Sequence, residues 1–131
     1  MAGYSGAPLI KKLGIKNGFR LKLVHTPDYY GELLGKMPAG TVETASDCDF
    51  IHAFYKDRTL FTEEISTLMT TIHRSGMIWV SWPKKSSKVP TDMTEDVIRE
   101  VALPLGLVDV KVCAVDEVWS GLKLVIRKKL R

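Results

Sequence analysis

The amino-acid sequence predicts an α/β fold in which a mostly parallel sheet lies between helices and ends in an antiparallel hairpin. Strand-like runs alternate with amphipathic helical segments along the 131 residues, which is the pattern of a parallel sheet covered on both faces. The last two strand-like runs, 107–115 and 119–127, are separated by only three residues. A parallel crossover needs a dozen residues or more, so these two runs are predicted to pair as a hairpin.

In the first half of the chain, the spacing of apolar residues predicts three helices and three strands. Pro27 suits the first position of a helix after Thr26 as N-cap, and Arg74 with Gly76 predicts the end of the last helix. In order, the predicted elements are a helix at 8–13, a strand at 19–25, a helix from Thr26 to Gly35, a short strand at 40–44, a strand at 49–55 and a helix with Phe61, Ile65, Leu68, Met69 and Ile72 on one face.

The second half begins with a buried strand at 77–82, followed by a basic loop at 83–90. We expect Asp92 to cap the next helix while Glu95 reaches back to it, as in a capping box. The buried stripe of this helix is predicted to contain Val97, Ile98, Val101 and Leu105. The loop matters for function because it follows a central strand and precedes a helix.

Composition limits the class of protein. The hydrophobic content of 45% and charged content of 26% indicate a soluble globular chain, and no apolar run reaches the roughly 18 residues that span a bilayer. We expect a single domain over residues 1–131, with a basic, glycine-containing segment at 1–18 and an α/β core at 19–128. Cys48 and Cys113 lie in apolar runs, so reduced, buried thiols and a cytoplasmic location are expected. Metal-ligand spacing is absent from the sequence.

Over residues 19–128 the order of elements resembles the methyltransferase variant of the three-layer Rossmann-like fold, whose mostly parallel sheet ends in a hairpin. A closer resemblance, to the bacterial family catalogued as domain of unknown function 3052, extends over nearly the whole chain. It implies a Rossmann-like fold and no established activity. The phrases that carry it are Gly3-Tyr4-Ser5-Gly6 with residues 11–15, Trp82-Pro83-Lys84-Lys85-Ser86, residues 90–96 and residues 111–122.

Ligands of open α/β sheets bind outside the carboxyl ends of the strands, which selects residues 25–28, the turn after Tyr55 and the loop at 83–90. The first stretch lacks the glycines of a nucleotide-binding turn, Pro27 removes a backbone donor, and Asp28 would compete with a ligand anion at the helix start. His25 either serves as a base near neutral pH or hydrogen-bonds its own turn. These features argue against a bound cofactor at this turn.

The basic loop is the preferred anion contact, because Lys84, Lys85, Ser86 and Lys88 offer ammonium and hydroxyl groups just before a helix. The alternative is a solvated surface loop. Trp79 and Trp82 are three residues apart in a strand and point to opposite faces. We expect Trp79 in the core and Trp82 at the pocket edge, with His25 beside it.

The expected function is therefore a non-catalytic binding module for a small anionic ligand, with no catalytic residue, metal or cofactor assigned. Two alternatives stay open. One is an S-adenosylmethionine-dependent methyltransferase with an atypical cofactor turn, and the other is an interaction subunit of a larger assembly. A protein partner is possible, nucleic acid is less favoured at a net charge of +4 without a binding motif, and no membrane association is expected.

Overall fold

A computed structural model describes residues 8–131, so the phrase at residues 3–6 lies outside the described part. Its sheet has six strands, which are β1 Arg20–Val24, β2 Val42–Glu43, β3 Cys48–Phe54, β4 Ile72–Pro83, β5 Leu107–Ala114 and β6 Trp119–Ile126. Across the sheet they follow the order β2-β1-β3-β4-β6-β5. The first four strands along the chain pair in parallel, whereas β6 runs antiparallel to both β4 and β5. The predicted parallel sheet with a terminal hairpin is confirmed.

Helices cover both faces of the sheet, because alternate residues of each strand point to opposite sides. The helices are α1 Leu9–Leu13, α2 Tyr30–Leu34, α3 Arg58–Thr71 and α4 Glu95–Ala102. On one face, Ile51 and Ala53 of β3 share a buried cluster with residues of α3 and α4. On the other face, Phe50 and Phe54 pack in clusters that include residues of α1 and α2. The result is three layers.

The helix α3 ends earlier than the sequence predicts. It stops at Thr71, and the chain passes directly into β4 at Ile72. Ile72 pairs with Cys48 of β3, and the register shifts between Cys48 and Phe50. A Cβ at Gly76 would lie 2.8 Å from Ile72 Cγ1 and 2.9 Å from the Cys48 carbonyl oxygen. Gly76 is thus required by close packing within the sheet, and it does not end the helix.

Two helix starts also differ from the prediction. The cap of α4 is Thr94, whose Oγ1 accepts a hydrogen bond from the Val97 N–H at 3.1 Å. Asp92 instead accepts from the Arg58 N–H at 2.7 Å, so it stabilises the start of α3. Helix α2 begins at Tyr30, after a turn in which the Tyr30 N–H donates to the Pro27 carbonyl. The contact of Asp92 with α3 joins residues 34 positions apart, so the local sequence does not specify it.

The closing hairpin is tightly packed at Gly121 in β6. A Cβ there would lie 3.1 Å from Trp79 Cε3 and 3.3 Å from Ser81 Oγ. The close backbone approach expected of a glycine within a strand is therefore present. Cys48 is buried, but Cys113 is only half-buried. None of the helices within residues 8–131 is both long and apolar enough to cross a membrane.

Candidate functional site

A cleft of about 420 Å³ opens at the carboxyl edge of the sheet. Its walls come from the segment after β1, the segment after β3, the start of α3 and the start of β6, so the strand-end rule predicts its place. Its volume lies within the range of small-molecule sites. It is lined by His25, Thr26, Pro27, Phe54, Tyr55, Lys56, Asp57, Leu60 and Trp119.

His25, Tyr55 and Glu64 form a hydrogen-bonded cluster at this cleft. The Tyr55 hydroxyl donates to Glu64 Oε1 at 2.7 Å, and His25 Nε2 lies 2.8 Å from the same oxygen. Partial burial raises the pKa of Glu64, but the hydrogen bonds from Tyr55 and His25 outweigh it and hold that pKa below its usual value. Burial and the interaction with Glu64 raise the pKa of Tyr55 well above its usual value. The cluster thus contains an ionised carboxylate and a protonated phenol.

The turn after β1 has the geometry that a glycine would normally supply. His25 has φ of +54°, a left-handed conformation that few non-glycine residues adopt. Since α2 begins only at Tyr30, Pro27 is not a helical residue. Asp28 is exposed and does not occupy the first turn of the helix. The competition expected between Asp28 and a ligand for helix donors therefore does not arise.

Two charged side chains of the cleft are available to a ligand. Lys56 is exposed, and within residues 8–131 its ammonium group makes no hydrogen bond or ion pair. One carboxylate oxygen of Asp57 caps α3 by accepting from the Thr59 N–H at 2.9 Å. The other oxygen has no partner in that part of the chain. The cleft can therefore hold a ligand that carries both an anionic and a cationic group.

The hairpin turn supports the Trp119 wall of the cleft. Asp116 Oδ1 accepts hydrogen bonds from the N–H groups of Val118 and Trp119 at 2.8 and 2.7 Å, and its Oδ2 accepts from the Tyr29 hydroxyl at 2.8 Å. The Trp119 indole N–H also donates to the Tyr29 oxygen at 3.1 Å. Adjacent carboxylates in a hairpin turn would ordinarily both be solvated, but here Glu117 is exposed and Asp116 is buried. Asp116 fixes the position of the indole.

The structure separates the residues proposed from the sequence as one site. Only His25 lines the cleft. Lys85, Ser86 and Lys88 are exposed on a loop that contains a single 3₁₀ turn, Lys85–Ser87, while Lys84 is half-buried and its N–H donates to the Val118 carbonyl at 2.7 Å. Trp82 is buried in the cluster beneath α3 and α4. The anion contact at this loop stays a prediction.

A buried polar network around His52 was not foreseen. His52 Nδ1 lies 2.9 Å from the Tyr30 hydroxyl, and Nε2 lies 2.8 Å from Ser81 Oγ. Burial lowers the pKa of His52 from 6.5 to about 3. The only sign of this network in the sequence is that His52 interrupts the apolar run of the strand predicted at 49–55. Since its ring is fully buried, we assign it to the core and not to the cleft.

Metal chemistry finds no support at the cleft. Within residues 8–131 no three histidine, cysteine, aspartate or glutamate side chains are grouped closely enough to hold a metal ion. Both cysteines are unpaired.

The fold matches solved methyltransferases along most of their length. A methyltransferase dependent on S-adenosylmethionine (SAM) from Aquifex aeolicus is 14% identical, with a TM-score of 0.61 over 90% of this chain and 87% of that chain. The ribosomal protein L11 methylase from Lactobacillus delbrueckii subsp. bulgaricus is 10% identical, with a TM-score of 0.61 over 91% and 75%. A methyltransferase from Pyrococcus furiosus is 10% identical, with a TM-score of 0.56 over 88% and 78%. Identities this low show a shared fold alone.

Neither a protein-family model nor a curated protein sequence matches the chain. The fold is that of the Rossmann-like methyltransferases. These matches contradict the expectation of a non-catalytic binding module and favour the methyltransferase alternative. At the turn after β1, the sequence interpretation assumed a helix starting at Pro27 and an obstructing Asp28, whereas His25 adopts a left-handed conformation and a cleft opens at the strand ends.

Proposed function

We propose that the protein binds S-adenosylmethionine in the cleft at the carboxyl edge of the sheet and transfers its methyl group to an acceptor. The observation that carries this proposal is the position of the cleft, which opens beside the ends of β1 and β3 in a fold shared with S-adenosylmethionine-dependent methyltransferases. Ligands of open α/β sheets bind at this edge.

The donor and acceptor groups of the cleft fit this cofactor, which carries a carboxylate, an ammonium group and a sulfonium. Lys56 would hold the carboxylate, and the unpartnered oxygen of Asp57 would hold the ammonium group. The aromatic rings of Tyr55 and Trp119 line the same cleft and favour a neighbouring cation. When bound, the cofactor supplies an electrophilic methyl carbon.

The test is isothermal titration calorimetry of the purified protein with S-adenosylmethionine and S-adenosylhomocysteine. We expect saturable binding of both ligands. Thr26→Trp places a large ring in the cleft wall and should weaken binding at least about tenfold, which corresponds to roughly 1.4 kcal/mol. Thr67→Trp makes the same change at an exposed position of α3 outside the cleft and should bind like the wild type.

Circular dichroism must show that both tryptophan variants are folded. If the wild-type protein binds neither adenosyl compound, the proposal is rejected. Equal loss of binding in the two variants would contradict the placement of the cofactor in this cleft. Transfer of a radiolabelled methyl group to an acceptor then tests catalysis separately from binding.

Some finer expectations remain predictions beside this function. Membership in the family of domain of unknown function 3052 depends on the sequence phrases quoted above, and so does a bacterial origin. The cytoplasmic location depends on the two unpaired cysteines. A single domain over 1–131 and an anion contact at Lys84, Lys85, Ser86 and Lys88 likewise await experiment.

A further inference from the structure

We infer that His25 is the general base of the methyl transfer and that the methyl acceptor is a neutral protic nucleophile with an O–H or N–H group. This inference rests on the proposed function, because the base acts on an acceptor beside a methyl donor bound in the same cleft. It goes further by assigning a catalytic residue, a positioning residue and a substrate class. The observations behind it are the contacts of the His25 ring.

The hydrogen bond to Glu64 determines which nitrogen of His25 can accept a proton. Glu64 is ionised, since its pKa lies below the usual value, and an ionised carboxylate only accepts hydrogen bonds. His25 Nε2, 2.8 Å from Glu64 Oε1, therefore carries the hydrogen. In neutral imidazole the other nitrogen, Nδ1, is then unprotonated, and within residues 8–131 it has no hydrogen-bond partner.

The ring is both accessible and held in place. The His25 side chain is 44% exposed and lines the cleft, so a small molecule in the cleft can reach it. Its ring also meets the Tyr55 ring edge-on, with centroids 5.5 Å apart. The Tyr55 hydroxyl donates to the same Glu64 oxygen at 2.7 Å. An ordered imidazole with one free nitrogen in a cleft is what a general base requires.

The backbone at His25 strengthens this interpretation. Non-glycine residues are uncommon in the left-handed region, where asparagine, aspartate and histidine are enriched, and the chain places His25 there at φ +54°. Unfavourable backbone conformations persist where the surrounding structure holds them, and they cluster at functional sites. The imidazole contacts Glu64 from α3 and Tyr55 just after β3, and the charged side chains of Lys56 and Asp57 line the same cleft.

The proposed step transfers a methyl group to the acceptor and a proton from the acceptor to His25. The acceptor oxygen or nitrogen forms a bond to the methyl carbon of an S-adenosyl sulfonium donor. The carbon–sulfur bond breaks, and its electron pair remains on sulfur. The acceptor proton passes to His25 Nδ1, and the resulting imidazolium is stabilised by the Glu64 carboxylate. An acceptor that is already anionic, such as a carboxylate, would need no base, so the ordered imidazole indicates a neutral acceptor.

The first test reads the histidine directly by ¹⁵N NMR and needs no acceptor. The His25 signals are assigned by their loss in His25→Asn, a variant that tolerates the left-handed backbone. We expect the neutral ring to carry its hydrogen on Nε2 in the wild type, and this preference to weaken in Glu64→Gln. A wild-type ring with its hydrogen on Nδ1 overturns the inference, and so does a ring that Glu64→Gln leaves unchanged.

The second test measures transfer of a radiolabelled methyl group from S-adenosylmethionine to the protic probes catechol, benzimidazole and ethanolamine, with benzoate as the anionic probe. We expect transfer to at least one protic probe. His25→Asn should lower that rate by about 10²- to 10⁴-fold, and added imidazole should restore part of it. The loss should appear in the turnover rate at saturating S-adenosylmethionine, since proton transfer contributes to the transition state.

The outcomes separate the two proposals. If S-adenosylmethionine does not bind to the wild type, the proposed function fails. If it binds, but methyl transfer reaches no protic probe or is unaffected by His25→Asn, the function as a cofactor-binding protein survives and this inference fails. His73→Asn makes the same change at an exposed histidine outside the cleft and is the matched control in both tests.

Discussion

Acidification should destabilise this protein through the buried imidazole of His52. The imidazole ring is fully buried between Tyr30 and Ser81, and it stacks on the ring of Phe54 with centroids 4.3 Å apart. A neutral imidazole satisfies both polar neighbours when the Tyr30 hydroxyl donates to Nδ1 and Nε2–H donates to Ser81 Oγ. Protonation would place a charge among aromatic rings, and burial accordingly lowers the pKa of His52 to about 3.

The sign and size of the effect follow from this shift. The folded-state pKa of about 3 lies below the ordinary value of 6.5. Between these two pH values, His52 is protonated in the unfolded chain and neutral in the folded chain. The contribution of neutral His52 to the free energy of unfolding is fully present above pH 6.5 and is lost as the pH falls toward 3. The slope is about 1.4 kcal/mol per pH unit. Between pH 7 and pH 4.5 the free energy of unfolding should fall by about 2.5 kcal/mol, a large part of the roughly 5–15 kcal/mol typical of a domain.

The assay is urea unfolding followed by tryptophan fluorescence at several pH values between 7 and 4.5. His52→Gln is the matched variant, because its amide can both donate and accept but does not titrate. It should be less stable than the wild type at pH 7, and the difference should shrink by about 2.5 kcal/mol at pH 4.5. The other titratable groups are common to both proteins, so their contributions cancel in the comparison. Parallel stability curves for the two proteins would refute the reasoning.

Three further predictions concern packing, capping and the basic loop. Gly121→Ala should destabilise the protein by about 1–3 kcal/mol in urea, because its Cβ would lie 3.1 Å from a tryptophan ring carbon; Gly31→Ala meets nothing within 4 Å and should not destabilise. Thr94→Ala should cost about 1 kcal/mol through loss of the α4 cap, whereas Thr94→Ser should keep most of it; equal losses would contradict the capping role. Joint replacement of Lys84 and Lys85 by alanine should leave affinity for S-adenosylmethionine within about twofold, and a tenfold loss in calorimetry would assign the loop to the cofactor site.

The sequence predicted the fold more completely than the site. The terminal hairpin was predictable because only three residues join its strands and no other connection fits. The edge at which the cleft opens was also predictable, since it depends on strand direction. The error at α2 shows the limit of local signals. Thr26 and Pro27 are favourable at a helix start, yet the chain forms a turn there and α2 begins at Tyr30, which packs against Phe54 and donates toward His52.

The sequence by itself determined the alternation of strands and helices, the hairpin and the strand-end location of the site, because periodicity and connection length are local properties. Only the tertiary structure decided which side chains meet. His25 reaches Glu64 across 39 positions of sequence, and His52 reaches Ser81 across 29. Periodicity states which face a residue occupies, but the partner on that face depends on how the elements pack. The hydrogen bond that assigns the free nitrogen of His25 is therefore a property of the folded chain.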